Sequence, residues 1–280
     1  MSELVVRRLL IDLAAPFESR WNGGDAFSSA FFNALSMSFP QGEQYFMDSV
    51  RAGLKELPED ERQRLAAEVQ GFVGQEATHR RIHALFNEQL RKQGFDNEIE
   101  RRAQRRVQAS AHYNVRIHVA ATAATEHLTA LFADWMLRHP DALAGAEPRL
   151  QTLWHWHSAE ETEHRSTAFD MYRALGGNEK YRLRVFRVVT LLFLSDVLRQ
   201  TVRNLWHDGS LFRLGTWASG YRLLLSRDGL LRSNVRGWRD YIAPGFHPDQ
   251  HDGSLSQQWL QRQAEAFTVV ARPAAASSCR

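Results

Sequence analysis

The sequence has a single cysteine, Cys279, among its 280 residues. One cysteine cannot form a disulfide within the chain, which excludes a disulfide scaffold and favours a reducing compartment. The first residues, MSELVVRRLLIDLAAP, carry charges within their apolar part, which argues against a signal peptide. We therefore expect a cytoplasmic protein.

The sequence also has no stretch that approaches the roughly 20 apolar residues of a membrane-spanning helix. The nearest is VVTLLFL at residues 188–194, which lies between Arg187 and Asp196. This run predicts a buried helical turn. Contact with a membrane surface is the alternative, and it would place the protein at the periphery of the inner membrane.

A strong excess of charge is absent too, since the net charge is +3 over the whole chain. We therefore expect no nucleic-acid partner, because a basic surface of that kind requires clustered positive charge. The run RRAQRR at residues 101–106 is the most basic segment, and it predicts a solvated helix end. No G-x-S-x-G, Walker A or G-x-G-x-x-G sequence occurs.

Helical periodicity begins at Ala26, where Phe27, Phe31, Leu35 and Phe39 follow at spacings of four residues. Pro40 is expected to interrupt this helix. Further patterns predict long helices at about 58–93, 97–139, 147–175 and 178–207, and shorter ones at 211–226, 228–242 and 254–268. Alternating strand patterns are few, so the sequence predicts an all-α protein.

These patterns divide the chain into four parts. Residues 1–25 are predicted to form an extended N-terminal arm on the surface, and residues 26–177 a bundle of four long helices. Residues 178–268 are predicted to form a C-terminal helical region packed on that bundle. The remaining residues, 269–280, are rich in small residues and predict a disordered tail.

Two pairs of glutamate and histidine have the same spacing, Glu76 with His79 and Glu161 with His164. Residues three apart lie on one side of a helix, so each pair can reach one point in space. A single such pair is close to what chance would give. Each pair, however, follows a helix that carries one isolated glutamate, and these are Glu43 and Glu126. Antiparallel helices of this length bring such positions to one level, which predicts a shared metal site.

Each of these residues also has a simpler interpretation. Glu126 would form a buried ion pair, for example with Arg116, and Glu43 would be an exposed acid in a first helical turn. The two glutamate–histidine pairs would lie on solvated helix faces. His83 and His157 share the stripes of the two pairs, and each is a candidate additional ligand or an outer partner of the ligands. The candidates to accept the outer N–H groups of the ligating histidines are Asp48, Asp134 and Asp170.

The order of these residues resembles that of the ferritin-like di-iron carboxylate proteins. The resemblance covers residues 27–175 and implies an antiparallel four-helix bundle that encloses two metal ions. It implies that the ligands are Glu43, Glu76, His79, Glu126, Glu161 and His164. The segments FPQGEQYF, QEATHRRIHALFN and EETEHRSTAFDMY are also similar to a bacterial family of predicted metal-dependent hydrolases, and that similarity extends to about residue 245.

A ligand set of carboxylates and imidazoles without thiolate suits iron or manganese better than zinc. We therefore expect two iron ions, with manganese or a mixed iron–manganese pair as the alternative. The predicted function is an O2-dependent oxidase or oxygenase that acts on an apolar small molecule and receives electrons from a donor. The alternative is a hydrolase that uses metal-activated water, and the third candidate is a non-enzymatic protein that senses or stores iron or oxygen. The sequence leaves a homodimer open.

Overall fold

The computed structural model describes residues 4–271, and 74% of it is helical, which agrees with the predicted all-α class. The first seven helices are α1 (Ala26–Glu56), α2 (Glu59–Lys92), α3 (Glu98–Ser110), α4 (Val115–Arg138), α5 (Pro148–His164), α6 (Thr167–Ala174) and α7 (Glu179–His207). The remaining four are α8 (Leu214–Leu225), α9 (Leu230–Ser233), α10 (Val235–Asp240) and α11 (Ser254–Arg262). Single 3-10 turns lie at Pro140–Leu143, Pro248–Gln250 and Ala264–Ala266.

A small antiparallel sheet joins the two ends of the described chain and was not predicted. Strand β1 (Val6–Leu9) pairs with strand β2 (Phe267–Ala271), and Leu9 lies opposite Phe267. The strand extends to Ala271, so Val269 and Ala271 of the predicted tail pair with Arg7 and Val6, and residues 272–280 lie outside the described part. Local pattern analysis misses this pairing because the two strands are distant in sequence.

The N-terminal arm does not lie on the surface as expected. Its apolar side chains are buried at Leu4, Val6, Leu9, Leu13, Phe17 and Trp21. Two glycines on α2 let the arm approach closely. A Cβ atom on Gly71 would lie 2.6 Å from a side-chain atom of Leu4, and one on Gly74 would lie 2.3 Å from Val6. The arm is therefore part of the core, and it reaches the helix that carries Glu76.

Pro40 does not interrupt the first helix, because α1 is continuous from residue 26 to residue 56. A proline in a helix leaves the carbonyl four residues earlier without its N–H donor. Here that carbonyl belongs to Ser36, and the side-chain amide of Asn87 donates to it at 2.9 Å. A neighbouring helix thus supplies the missing hydrogen bond, and Glu43 lies in the middle of α1 rather than in a first turn.

Two of the predicted long helices are each divided. The segment predicted at 97–139 is α3 and α4, and the side chain of Asn114 caps α4 by accepting from the backbone N–H of Arg116 at 2.9 Å. The segment predicted at 147–175 is α5 and α6, and the division follows directly after His164. The predicted C-terminal region contacts the earlier helices through α7, which packs on α1 and α4, and through α11, which packs on α5.

Two apolar clusters fill the interior and determine where the polar site lies. One contains Phe32, Phe86 and Trp156, and the other contains Phe72 and Phe169. Helices α1, α2 and α4 each contribute to both clusters, and α5 continues into α6 between them. The candidate metal ligands lie where the chain passes from one cluster to the other. No helix within residues 4–271 is long and apolar enough to cross a bilayer.

Candidate metal centre

The structure brings all eight of the predicted site residues into one buried cluster, with no more than 4% of any residue exposed. Helix α1 carries Glu43 and helix α4 carries Glu126. Helix α2 carries Glu76, His79 and His83, and helix α5 carries His157, Glu161 and His164. None of these residues lies on a solvated face, and Glu126 makes no ion pair with Arg116. The simpler interpretations of these residues are therefore wrong.

The side-chain atoms of this cluster lie at the distances expected of ligands that share an ion. The Nε2 atom of His164 is 3.2 Å from a Glu76 oxygen and 3.3 Å from a Glu126 oxygen. On the other side, a Glu161 oxygen is 3.1 Å from His157 Nε2 and 3.6 Å from His79 Nδ1. Two atoms that each lie about 2.1 Å from one ion are about 3 Å apart when they meet it at right angles.

These inward-facing atoms have no hydrogen-bond partner among the described residues. They are both oxygens of Glu43, Glu76 and Glu126, one oxygen of Glu161, and one nitrogen of each of His79, His157 and His164. Burial of a polar atom without a hydrogen-bond partner lowers the stability of the folded state by up to several kcal/mol. Folded proteins therefore contain few such atoms, and a cluster of them needs a partner. A cation at the centre would satisfy them all, so the residues present fit a metal site.

The ligand atoms fall into overlapping groups rather than one ring. Glu76 belongs to one group with Glu43 and His79, and to another with Glu161 and His164. Glu161 belongs to that second group and to a third with His79 and His157. Glu43 also belongs to a group with His83 and His157, but Glu76 and Glu161 are the two carboxylates that join the His164 group to the others, and Glu126 joins the cluster through its contact with His164.

Two residues that sequence analysis missed orient the inward histidines. His79 donates from Nε2 to the buried carboxylate of Glu160 at 3.0 Å, which leaves Nδ1 with its lone pair toward the centre. His164 donates from Nδ1 to the side-chain oxygen of Gln75 at 2.9 Å. Such outer hydrogen bonds fix the tautomer and the ring orientation of a metal-binding histidine.

The aspartates that were expected in this role lie elsewhere. Asp48 accepts from Gln44, Asp134 pairs with Arg138, and Asp170 accepts from His247. The sequence does show that Glu160 lies next to the candidate ligand Glu161, in a run of acidic residues. The histidine three residues after Glu161 selects that acid as the ligand, but no local feature assigns a role to Glu160.

His157 faces the centre, whereas His83 lies behind it. The amide of Asn87 donates to a backbone carbonyl, so its side-chain oxygen accepts from the Ser36 hydroxyl at 2.8 Å. Ser36 then accepts from His83 Nδ1 at 2.9 Å, and His83 Nε2 accepts from His157 Nδ1 at 2.8 Å. This direction leaves the lone pair of His157 Nε2 for the centre. Both nitrogens of His83 are used, so it is the outer partner of His157.

The buried N-terminal strand supports the centre through Arg7. Its guanidinium contacts Glu160 at 2.9 Å and Glu163 at 2.6 Å. Gln75 also donates to Glu163, at 2.9 Å. Arg7 therefore compensates the carboxylate that holds His79, and it links β1 to α5 across the helix that carries Gln75.

Without metal, the charges of the cluster are controlled by protons. Burial raises the pKa of Glu43 and Glu76 well above the ordinary value and that of Glu126 to about 7. Burial alone would lower the pKa of His79, but the hydrogen bond to Glu160 and the nearby carboxylate of Glu161 outweigh it and raise that pKa to about 9. Metal binding must therefore displace protons from this cluster.

We expect the metal-free protein to lose stability as the pH rises from 7 to 9. The pKa of His79 is raised from its ordinary value of 6.5 to about 9, so the folded state binds more protons than the unfolded state in this range, whereas the raised pKa of Glu126, about 7, acts mainly below pH 7. A raised pKa stabilises the folded state at low pH, and that contribution is lost as the pH passes through the folded value, by up to about 1.4 kcal/mol per pH unit for each proton. Urea unfolding of the chelator-treated protein at both pH values measures this. Equal or greater stability at pH 9 would contradict the expectation.

A narrow apolar cavity lies beside the Glu161 and His157 side of the cluster. Its remaining lining includes Phe32, Leu35, Phe39, Phe132, Met136 and Phe193. The volume is about 30 Å³, so an organic substrate would enter only if these side chains move. Apolar walls with a few convergent polar groups at one end are typical of small-molecule sites.

One family comparison bears on this site. A family model described as "Predicted metal-dependent hydrolase" matches residues 5–252, a range that contains β1, helices α1 to α10 and every residue of the buried cluster. No curated protein and no solved structure matches the chain.

Proposed function

The chain belongs to the family of predicted metal-dependent hydrolases, and from this premise we propose that it is a hydrolase whose buried centre holds two metal ions. One observation carries the proposal. Carboxylate oxygens and imidazole nitrogens from four helices converge on one point, and most of them have no partner among the described residues. A site built in this way requires cations, and the family supplies the reaction class.

The overlapping groups support an assignment of ligands to the two ions. Glu76 and Glu161 would be ligands of both ions, since each joins the ligand group of His164 to another group. Glu43, His79 and His157 would hold one ion, and Glu126 and His164 would hold the other. Four carboxylates balance the charge of two divalent ions, so the filled centre is electrically neutral and its burial is inexpensive.

The protein's own residues account for the conditions that hydrolysis needs. A dinuclear metal centre supplies an activated water and polarises the bond that is cleaved. Glu160 and His83 hold the ligand imidazoles in one orientation, which keeps the centre ready without reorganisation. The phenylalanines of the cavity exclude bulk water and favour an apolar substrate, for example one with an acyl chain.

The ligand set suits iron or manganese better than zinc. We further propose that α1, α2, α4 and α5 form an antiparallel bundle of the ferritin-like kind. The order of the ligands supports this, because a lone glutamate and a glutamate–histidine pair alternate along these four helices.

The same carboxylate-rich ligand set favours a second candidate, an O2-dependent oxidase that takes electrons from a donor. Iron ions bridged by carboxylates are typical of proteins that activate O2. This candidate has the centre and the apolar cavity in common with the hydrolase. It differs in its requirement for O2 and reductant, which a reaction can test directly.

The deciding experiment combines metal analysis with turnover. We expect about two ions per purified chain, and hydrolysis of acyl esters that is lost with a chelator, restored by metal, and equal with and without air. Turnover that depends on O2 and on an electron donor would replace the hydrolase with the oxidase. Stable binding of metal with neither reaction would contradict both enzymatic proposals and leave metal sensing or storage.

A further inference from the structure

Helix α7 has its polarity reversed relative to an ordinary surface helix. Five of its eight buried residues are polar, and they are Arg182, Asp196, Gln200, Thr201 and Asn204. Its solvent-facing side carries the apolar residues Val188, Leu191, Leu192, Leu194, Leu198 and Trp206. Leu191 is 70% exposed. A helix normally turns its apolar stripe toward the core, so this outward stripe indicates that something covers it.

The apolar surface continues beyond the end of α7. Trp206 contacts Phe212, with ring centroids 5.9 Å apart, and Phe212 leads into α8. Helix α8 and the residues before it expose Phe212, Leu214, Trp217, Tyr221 and Leu225, and Leu214 is 88% exposed. Together, these residues of α7 and α8 form what we call the α7–α8 face.

Positive charge surrounds this face. Seven arginines between residues 183 and 227 are exposed, namely Arg184, Arg187, Arg199, Arg203, Arg213, Arg222 and Arg227. The acids in the same stretch are Asp196 and Asp208, and both already form ion pairs with arginines outside the stretch. Asp196 is buried and pairs with Arg106, and Asp208 pairs with Arg20. Arg199 and Arg203 pair with Asp196 and Asp96, and the other five arginines form no ion pair among the described residues. The face therefore has an apolar centre and a margin with five unpaired cations.

We propose that the α7–α8 face binds the surface of an anionic lipid bilayer. Leucine, tryptophan and phenylalanine side chains enter the boundary between headgroups and acyl chains, and arginines bind the lipid phosphates around them. A second copy of the chain fits less well, because a symmetric contact would bring two arginine margins together and like charges would repel. No helix of the described chain spans a membrane, so the contact is peripheral.

The position of the cavity assigns a role to the contact between the α7–α8 face and the bilayer, and this role rests on the proposed function. Phe193 lines the cavity beside Glu161 and His157, and it lies between the exposed Leu192 and Leu194 of α7. A substrate dissolved in the bilayer would therefore lie next to the cavity, and movement of Phe193 would admit it. Membrane binding itself does not depend on the metal centre, so the two inferences can fail separately.

The test is sedimentation of the full-length metal-loaded protein with lipid vesicles. We expect the wild-type protein to bind vesicles of phosphatidylglycerol and phosphatidylcholine at least about tenfold more strongly than vesicles of phosphatidylcholine alone. The double variant Leu191→Asp, Leu214→Asp is expected to lose at least about tenfold in binding to the anionic vesicles. The matched control is Leu85→Asp, which places the same charge at an exposed leucine of α2.

Three results would overturn the proposal. One is wild-type protein that does not sediment with anionic vesicles. Another is a double variant that binds as well as Leu85→Asp. The third is a stable dimer in light scattering that the double variant dissociates and vesicles do not compete for, since a second copy would then cover the face. Unchanged circular dichroism and metal content show that the variants are folded. Normal vesicle binding without any hydrolysis would leave this proposal standing while the proposed function fails.

Discussion

The Glu161→Ala variant is expected to retain fewer than one metal ion per chain, compared with about two in the wild-type protein. Glu161 is one of the two carboxylates that join the ligand group of His164 to another group, so its loss removes a ligand from both of the proposed ions. It also leaves His157 and His164 without the oxygen that lies between them. Removal of an outer partner typically lowers metal affinity 10- to 100-fold, and removal of a shared ligand should exceed the upper end of about 100-fold. Metal analysis after dialysis and competition with a chelator measure both quantities.

Two further variants separate loss of the ligand from loss of the fold. Glu161→Gln keeps the volume of the side chain but removes its charge, and it is expected to lose metal nearly as completely. Glu88→Ala is the control, because Glu88 is an exposed acid of α2 that pairs with Arg91. Two ions per chain in Glu161→Ala would show that the cluster is not the metal site. The same metal content in all variants would have the same meaning.

The cluster could be predicted from the sequence because its logic is local. The spacing of Glu76 with His79, and of Glu161 with His164, places each pair on one side of a helix whatever the rest of the chain does. The isolated glutamates, Glu43 and Glu126, were recognisable because a lone acid in an apolar helix requires a partner that compensates its burial. Helix periodicity and the two pairs therefore carried most of the predictive information.

What the sequence could not reveal depends on contacts between distant residues. Arg7 and Glu160 are separated by 153 positions, and no local pattern relates them. The continuity of α1 through Pro40 depends on Asn87, which belongs to another helix. The same asparagine begins the hydrogen-bond chain that distinguishes His157 from His83, so one tertiary contact decides both questions.

The reversed polarity of α7 is a second feature that the local sequence pattern did not predict. The sequence run at residues 188–194 predicted a buried turn, because apolar runs are usually buried. Its helix packs on α1 and α4, and it buries the polar residues Gln200 and Asn204 beside apolar ones. The side chains of Gln200 and Asn204 hydrogen-bond to each other and to the backbone of neighbouring segments. Most of the run is consequently left facing outward, and only Phe193 among its large side chains packs on both interior clusters.

Replacement of Arg7 by methionine is expected to destabilise the protein by about 3–5 kcal/mol, which is the usual effect of removing one partner from a buried ion pair. Arg7 is the only cation that pairs with Glu160 among the described residues, apart from His79, and Glu160 is fully buried. Without the guanidinium, the carboxylate must take up a proton or remain charged in the core. Either outcome also weakens the hydrogen bond that orients His79.

The strand itself provides the control for this prediction. Arg8 is the next residue of β1, and its side chain is exposed, so Arg8→Met should change the free energy of unfolding by no more than about 0.5 kcal/mol. Adding Glu160→Gln to Arg7→Met removes the unpaired charge, and the double variant should recover part of the loss. Urea unfolding of the four proteins measures these differences. Equal stability of Arg7→Met and Arg8→Met would mean that the contact to Glu160 contributes nothing. The N-terminal strand would then be held by its apolar side chains alone, and the orientation of His79 would depend on Glu160 without support from Arg7.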